Sequence, residues 1–362
     1  MSRIKVLHVI ARMNVGGTAR YVGDLARDIP NSALATGLVQ GAEVEDPVLQ
    51  DLDFYRISHL GRRISPKNDF RAWLELRRLI RELRPEIVHT HTFKAGLLGR
   101  LVRGNHKRVH TFHGHLFDDQ TFSRLQKVLI ICAERFLAIR TDILISVGER
   151  VGKELRDSGI GSNGKWASIA PGINPLPTIS EAEARQSLGL QQGELIIGWM
   201  ARMAGVKNPR LFLDLARQRP ALSFAMAGGG DLLNEMERLA PSNVKVLGWT
   251  DAAAFWSAID LAVSTSDNEG MPIALIEAQM AGVPIIATNA GSTGEVIQSG
   301  ITGLLAEKNA ESLLHALDEL IANRQLLESM SQSAKLLALK NFTRESMVQA
   351  HLDIYRALDK IA

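Results

Sequence analysis

Lys5-Val-Leu-His-Val-Ile10, then Asn14-Val-Gly-Gly17, then Thr18-Ala-Arg-Tyr-Val-Gly-Asp-Leu-Ala-Arg27 make up the stretch that decides the fold. The first run is short and β-rich, the second is a glycine turn, and the third carries apolar residues at helical spacing. Strand, turn and helix then recur along the chain. Residues 73–83 read as a helix with Arg and Glu on its outer face, stopped at Pro85, and Ile87-Val-His-Thr-His91 follows as a strand. Residues 96–102 are helical and Arg108-Val-His-Thr-Phe112 is a strand. Residues 125–139 form a long helix, and Asp142-Ile-Leu-Ile-Ser-Val147 is another strand. Such alternation predicts a parallel sheet covered by helices on both faces.

Pro171, Gly172, Pro175 and Pro177 read as a linker. The alternation then restarts, with strands expected at 195–200, 223–227, 244–247, 261–264 and 284–288. Helices are expected between them at 209–217, 232–239, 252–259 and 273–281, with another at 311–322. The expected architecture is α/β, with two Rossmann-like doubly wound domains, residues 1–174 and 175–342, facing across a cleft. A last helix within 343–362 is expected to return to the first domain. A chain of 362 residues exceeds what one core usually serves, which agrees with two domains.

Composition excludes several classes. Apolar residues are 46% and charged residues 22%, an ordinary globular balance, and a net charge of +3 implies no nucleic-acid partner. Residues 56–110 are the exception, with 14 Lys/Arg against 4 Asp/Glu. No apolar run approaches the roughly 18 residues of a membrane span, and the N-terminus lacks a signal-peptide pattern. A cytoplasmic location is therefore expected. The single cysteine, Cys132, precludes an internal disulfide, and its apolar neighbours predict a buried core thiol.

Ligands of doubly wound sheets bind where strands end, so the strand-to-helix turns carry the chemistry. Gly16 and Gly17 let backbone amides approach a phosphate, although the GxGxxG fingerprint is absent. His89, His91, His110, His113 and His115 are dense enough to invite a metal reading. No acidic or Cys partner stands at ligand spacing, so structural or phosphate-contacting roles are favoured and no metal is expected. His113, before Gly114 and just past a strand end, is the best placed to meet a ligand. Arg202 and Lys207 share one glycine-containing loop, which suits a diphosphate. In Asn268-Glu-Gly-Met-Pro-Ile-Ala-Leu-Ile-Glu277, Pro272 is suited to a first helical turn and Gly270 leaves amide donors open. Glu269 and Glu277 beside such a helix start are suited to hydroxyls of a sugar or ribose.

Gly16-Gly17-Thr-Ala-Arg20, His113-Gly114, Arg202-x4-Lys207 and Glu269-x7-Glu277 resemble, in order and spacing, the retaining glycosyltransferases of family 4, whose fold is GT-B. The segments Glu-Gly-Met-Pro and Ala281-Gly-Val-Pro284 are the specific part. Thr90-His-Thr-Phe-Lys-Ala-Gly-Leu-Leu-Gly-Arg100, with Thr111-Phe-His-Gly-His115, is similar to the subset that builds bacterial surface polysaccharides. Ala19 and Trp199-Met-Ala201 depart from the family pattern. The resemblance implies a nucleotide-sugar donor, UDP-sugars first, and a lipid-linked sugar acceptor met by the first domain. It implies that Arg202 and Lys207 hold the diphosphate and Glu277 the ribose. Glu269, Gly270, Met271, Pro272 and Ile273 would meet the sugar and phosphates, His113 the sugar or leaving phosphate, and Gly16 and Gly17 the cleft. No cofactor is implied.

Rival readings are a nucleotide-sugar epimerase or phosphorylase of the same fold, a metal-dependent hydrolase built on the histidines, and a non-catalytic nucleotide-sugar sensor. The basic segment adds one more expectation. Arg62, Arg63, Arg77, Arg78, Arg81 and Arg84 are expected to attract an anionic membrane surface, and Lys94 to contact a lipid-linked acceptor's phosphate.

Overall fold

The computed structural model describes residues 5–41, 43–61, 63–114 and 123–360. Two compact units divide the chain: residues 1–172 with 344–362, and residues 173–343. The first holds seven strands, β1 (Val6–Ile10), β2 (Ser32–Thr36), β3 (Phe54–Arg56), β4 (Ile87–His91), β5 (Lys107–Phe112), β6 (Ile143–Ser146) and β7 (Trp166–Ser168). Their order in the sheet is β3-β2-β1-β4-β5-β6-β7. The second holds β8 (Ile196–Met200), β9 (Ser223–Ala227), β10 (Val244–Val246), β11 (Leu261–Ser264), β12 (Ile285–Thr288) and β13 (Gly303–Ala306), ordered β10-β9-β8-β11-β12-β13. Every pairing within these two sheets is parallel.

Burial explains why these runs became strands. All five residues of β1 and of β4 are buried, as expected where helices cover both faces of a sheet. Leu7, Val9, Leu76, Leu79 and Val88 belong to the first core, and Trp199, Phe212, Phe224 and Leu317 to the second. In each sheet the order of strands reverses once, between β1 and β4 and between β8 and β11. Ligands of open α/β sheets gather outside the carboxyl ends of strands at such a reversal.

Helix ends follow local chemistry. Pro66 opens the helix Pro66–Leu83, and Arg84 closes it in the left-handed region with φ 47°, just before Pro85. Ser123 and Gln126 form a reciprocal capping box at the start of the helix Arg124–Ile139. In the helix Arg344–Lys360, Arg344 pairs with Asp24 at 3.3 Å and with Asp28, fastening it to the helix Gly17–Asp28.

Two expectations are corrected. Cys132 is exposed, because its helix turns Glu134, Leu137 and Ala138 inward instead. The arginines of the basic segment do not all present free charge to one face. Arg77 lies 5.4 Å over the Trp73 ring, Arg78 pairs with Glu82 at 2.8 Å, and Arg100 is buried. Arg63, Arg81 and Arg84 are exposed, while Arg62 and His115 lie outside the described residues. No helix among the described residues is long and apolar enough to cross a membrane.

Candidate active site

The second unit builds its site on both sides of the reversal. The loop after β8 carries Arg202, exposed, and Lys207; the loop after β11 carries Glu269. Lys207 Nζ donates to both Glu269 carboxylate oxygens, at 2.5 and 2.6 Å, and Ser266 Oγ donates to Oε1 at 2.7 Å. The loops are joined by more than this ion pair. Trp199 Nε1 donates to Thr265 Oγ1 at 3.0 Å, and the Thr265 hydroxyl in turn reaches the carbonyls of Lys207 and Asn208. The Asp267 amide donates to Val206 O at 2.9 Å. Trp199, a departure from the family pattern, therefore helps hold the basic loop in place.

Glycine permits the close approaches around that site. A Cβ on Gly291, whose φ is +49°, would lie 1.7 Å from Glu269 O, so the loop after β12 can press on the Glu269 turn only without a side chain. There the Ser292 amide donates to Gly270 O at 3.0 Å. Gly228, after β9, is held as closely, since a Cβ would sit 2.0 Å from Ala201 O. Pro272 is the N-cap residue, and the helix Ile273–Ala281 has the bounds its sequence led one to expect. Glu277 is buried in its second turn, with Met271 and Pro272 buried before it.

In the first unit, Gly16 caps the helix Gly17–Asp28 with φ 150°, a conformation open to glycine and strained for other residues. His113 is half-buried past the end of β5, with the Tyr21 ring edge-on at 4.8 Å. Behind it lies a cluster of imidazoles whose proton positions follow from their partners. His351 Nδ1 faces the Met347 carbonyl at 2.8 Å, which only accepts, so Nε2 is bare and accepts from Tyr21 OH at 3.1 Å. The Tyr21 phenol has one proton and gives it to His351, so in its bond with the Thr111 hydroxyl it is Thr111 that donates. His89 Nε2–H then donates to Thr111 Oγ1 at 2.7 Å, and His89 Nδ1 accepts from Tyr355 OH at 2.6 Å. One directed chain thus leaves the C-terminal helix at Tyr355 and returns to it at His351.

A second chain ends on His113. His8 Nδ1 meets His91 Nε2 at 3.2 Å, and His91 Nδ1 meets His113 Nε2 at 3.1 Å. His8 Nε2 is buried and meets no partner, and a bare lone pair there costs less than an orphaned N–H. The protons therefore sit on Nδ1 of His8 and Nδ1 of His91, and His113 keeps its own proton on Nδ1. Burial pushes His8 and His113 down to about 3 and His351 to about 4, with His351 opposing further charge on the first two. All three are neutral at pH 7. Among the described residues, His8, His89 and His91 form the group with metal-ligand spacing. Five of its six ring nitrogens are engaged, by one another, by His113 and by the hydroxyls of Thr111 and Tyr355, and His8 Nε2 meets no partner.

The structure brings Arg202, Lys207, Glu269, Gly270, Met271, Pro272, Ile273 and Glu277 to one end of the second sheet. Gly16, Gly17, His113 and Lys94 stand after β1, β5 and β4 of the first. Lys94 is engaged within its own unit: its ammonium is paired with Asp69 at 2.6 Å and bonds the Arg63 carbonyl, tying two helices together. Sequence reasoning passed over Thr265, Ser266 and Gly228-Gly229-Gly230. Three consecutive glycines at a strand end were the available signal for the last group.

Comparison with known proteins agrees with this geometry. Residues 180–337 match the family of glycosyl transferases group 1, and residues 16–172 match a glycosyl transferase 4-like domain. An Escherichia coli UDP-Gal:alpha-D-GlcNAc-diphosphoundecaprenol alpha-1,3-galactosyltransferase is 26% identical, over 98% of this chain and 97% of its own. The putative glycosyltransferase EpsF of Bacillus subtilis is 27% identical over the same shares. Among solved structures, a sucrose-phosphate synthase from Thermosynechococcus elongatus superposes with TM-score 0.86 at 18% identity, covering 99% of this chain and all of that one. Anabaena HepE, solved with UDP and glucose, gives 0.84 at 17%, covering 98% and all of its chain. With a glycosyltransferase domain matched in each half and the two-domain GT-B fold around the paired loops, the chain belongs to the group 1 glycosyltransferases and resembles those that build bacterial surface polysaccharides.

Proposed function

We propose that this glycosyltransferase moves a sugar, with retention of anomeric configuration and without a divalent metal, from a UDP-sugar to a lipid-linked sugar acceptor at the cytoplasmic face of a membrane. The observation that carries the reading is Lys207 clasped to Glu269 where β8 and β11 end. Lys207 and Arg202 meet the diphosphate, whose leaving charge they offset together with the amides at Gly270, Met271 and Ile273. Pro272, which has no amide proton, shapes that turn. Glu269 meets the donor sugar and Glu277 the ribose. His113, neutral, offers Nδ1–H to the sugar or the leaving phosphate, and Gly16 and Gly17 leave room for the ligand. Support for donor and acceptor comes from the relatives: the Escherichia coli enzyme is named for UDP-Gal and a diphosphoundecaprenol-linked sugar, and HepE was solved with UDP.

The test supplies UDP-, GDP- and ADP-sugars with a synthetic lipid-diphosphate sugar. Expected are UDP release only when acceptor is present, a product with the donor's anomeric configuration by NMR, and rates unmoved by EDTA. Isomerisation or phosphorolysis of the donor without acceptor would favour an epimerase or phosphorylase instead. Activity lost to EDTA and restored by Mg²⁺ or Mn²⁺ would overturn the metal-independent part.

A further inference from the structure

The helix Arg124–Ile139 exposes Leu125, Val128, Leu129, Cys132, Phe136 and Ile139, with Leu125 69% and Ile139 76% accessible. At about 100° per residue these six fall within an arc of about 100°. Glu134 lies on the opposite side. Its carboxylate holds Arg100 through bonds of 2.7 and 2.9 Å, and both side chains are almost wholly buried. A buried guanidinium cannot give up its carboxylate cheaply, so this pair fixes the rotation of the helix and turns the apolar stripe outward.

The stripe has a cationic rim. Arg124 and Arg135 stand on one flank and Arg140 on the other, where it lies 4.0 Å over the Phe136 ring. Glu134 is the helix's single acidic residue, and it is spent inside. The helix Phe93–Leu101 packs against this helix and, on its other side, against Pro66–Leu83. There Phe70 and Leu74 are exposed among Lys67, Arg71 and Arg78. An apolar face bordered by Arg and Lys is the pattern of a helix lying in a lipid interface, and soluble monomers rarely leave such a face uncovered. Self-pairing through the stripe would bring Arg124, Arg135 and Arg140 of two copies together, so charge favours an anionic surface over a second copy.

We propose that the Leu125–Ile139 side of this helix inserts the first unit into the headgroup layer of an anionic bilayer, with the flanking arginines on lipid phosphates. The proposal rests on the reading that the acceptor is lipid-linked. It assigns docking to this helix rather than to the arginine-rich helix Pro66–Leu83.

Cys132, the chain's single cysteine, lies in the stripe and can carry a polarity-sensitive dye. Vesicles of phosphatidylglycerol with phosphatidylcholine should shift its emission to the blue and sediment the protein, less so at high salt, and phosphatidylcholine alone should do so weakly. Leu125→Ser/Leu129→Ser/Phe136→Ser should weaken sedimentation about tenfold or more, while its thermal melt and its transfer to a short water-soluble acceptor persist. Arg77→Ala/Arg78→Ala/Arg81→Ala/Arg84→Ala should keep the dye shift. Wild-type protein that ignores anionic vesicles overturns both the proposal and the membrane reading. Binding unchanged in the triple-serine variant overturns the stripe alone. A dye shift that grows with protein concentration without vesicles, with dimers by light scattering, overturns it in favour of a second copy.

Discussion

Lys207 and Glu269 act as one unit, which changes what single substitutions report. In the proposed donor site, Lys207→Ala should remove a charge-assisted contact to diphosphate, worth about 1.5–3 kcal/mol, or ten- to a hundredfold in donor affinity. It also deprives the buried Glu269 carboxylate of the cation facing it, at a further cost in stability of about 1–3 kcal/mol. Lys207→Ala/Glu269→Gln should recover part of that stability but none of the affinity. Melting curves and calorimetric donor binding check both, and strictly additive stabilities would mean the pair is not coupled. In the proposed site His91 would act one step from the chemistry, by keeping Nε2 of His113 an acceptor. His91→Leu should lower kcat up to about tenfold at little change in donor KM. His91→Asn, whose amide can donate from nearly the same place, should restore most of the rate. Equal rates in the leucine and asparagine variants would reduce His91 to packing.

At the scale of elements, the helix Arg124–Ile139 is governed by its ion pair. Burial raises the carboxyl of Glu134 and lowers the guanidinium of Arg100, each opposed by the partner's charge. The pair is therefore costly to break and of modest net worth when replaced whole. Glu134→Ala should cost about 3–5 kcal/mol, whereas Arg100→Met/Glu134→Leu should stand near wild type. Chemical denaturation measures both, and a Glu134→Ala cost below about 1 kcal/mol would mean other contacts set the helix rotation. The strands show which elements a sequence declares. The buried runs of β1, β4 and β8 were legible from their β-branched residues. Ser32-Ala-Leu-Ala-Thr36 and the three residues of β3 and β7 were not, because alanine and brevity leave too little pattern.

For the whole molecule, histidine is distributed unevenly. His315 belongs to the second unit and the other nine of ten to the first. Burial lowers His8, His89, His91, His106, His110, His113 and His351 below the ordinary value of 6.5. The unfolded chain therefore binds more protons than the native one just below pH 6.5. Their stabilising contribution is complete above that value and is lost as pH falls toward about 4, at about 1.4 kcal/mol per imidazole per pH unit. Between pH 7 and pH 5 the first unit should unfold before the second, in two transitions. Hydrogen exchange resolved by segment tests this: protection lost first around β1 and β4 and kept around β8 and β11 is expected, and simultaneous loss would contradict it.

The sequence by itself determined the alternation of strand and helix, the parallel sheets and the loops that carry charge. These follow from side-chain period and turn chemistry, which act over a few residues. It marked Arg202, Lys207, Glu269 and Glu277 as types suited to a nucleotide sugar. Only the tertiary structure decided that Lys207 and Glu269, 62 positions apart, meet where β8 and β11 become neighbours. It also committed Lys94 to Asp69 and turned Cys132 outward. Periodicity identifies a helix with an apolar side; which side is buried depends on what waits opposite. Here a buried Arg100 required Glu134, and satisfying that charge outweighed covering the apolar stripe.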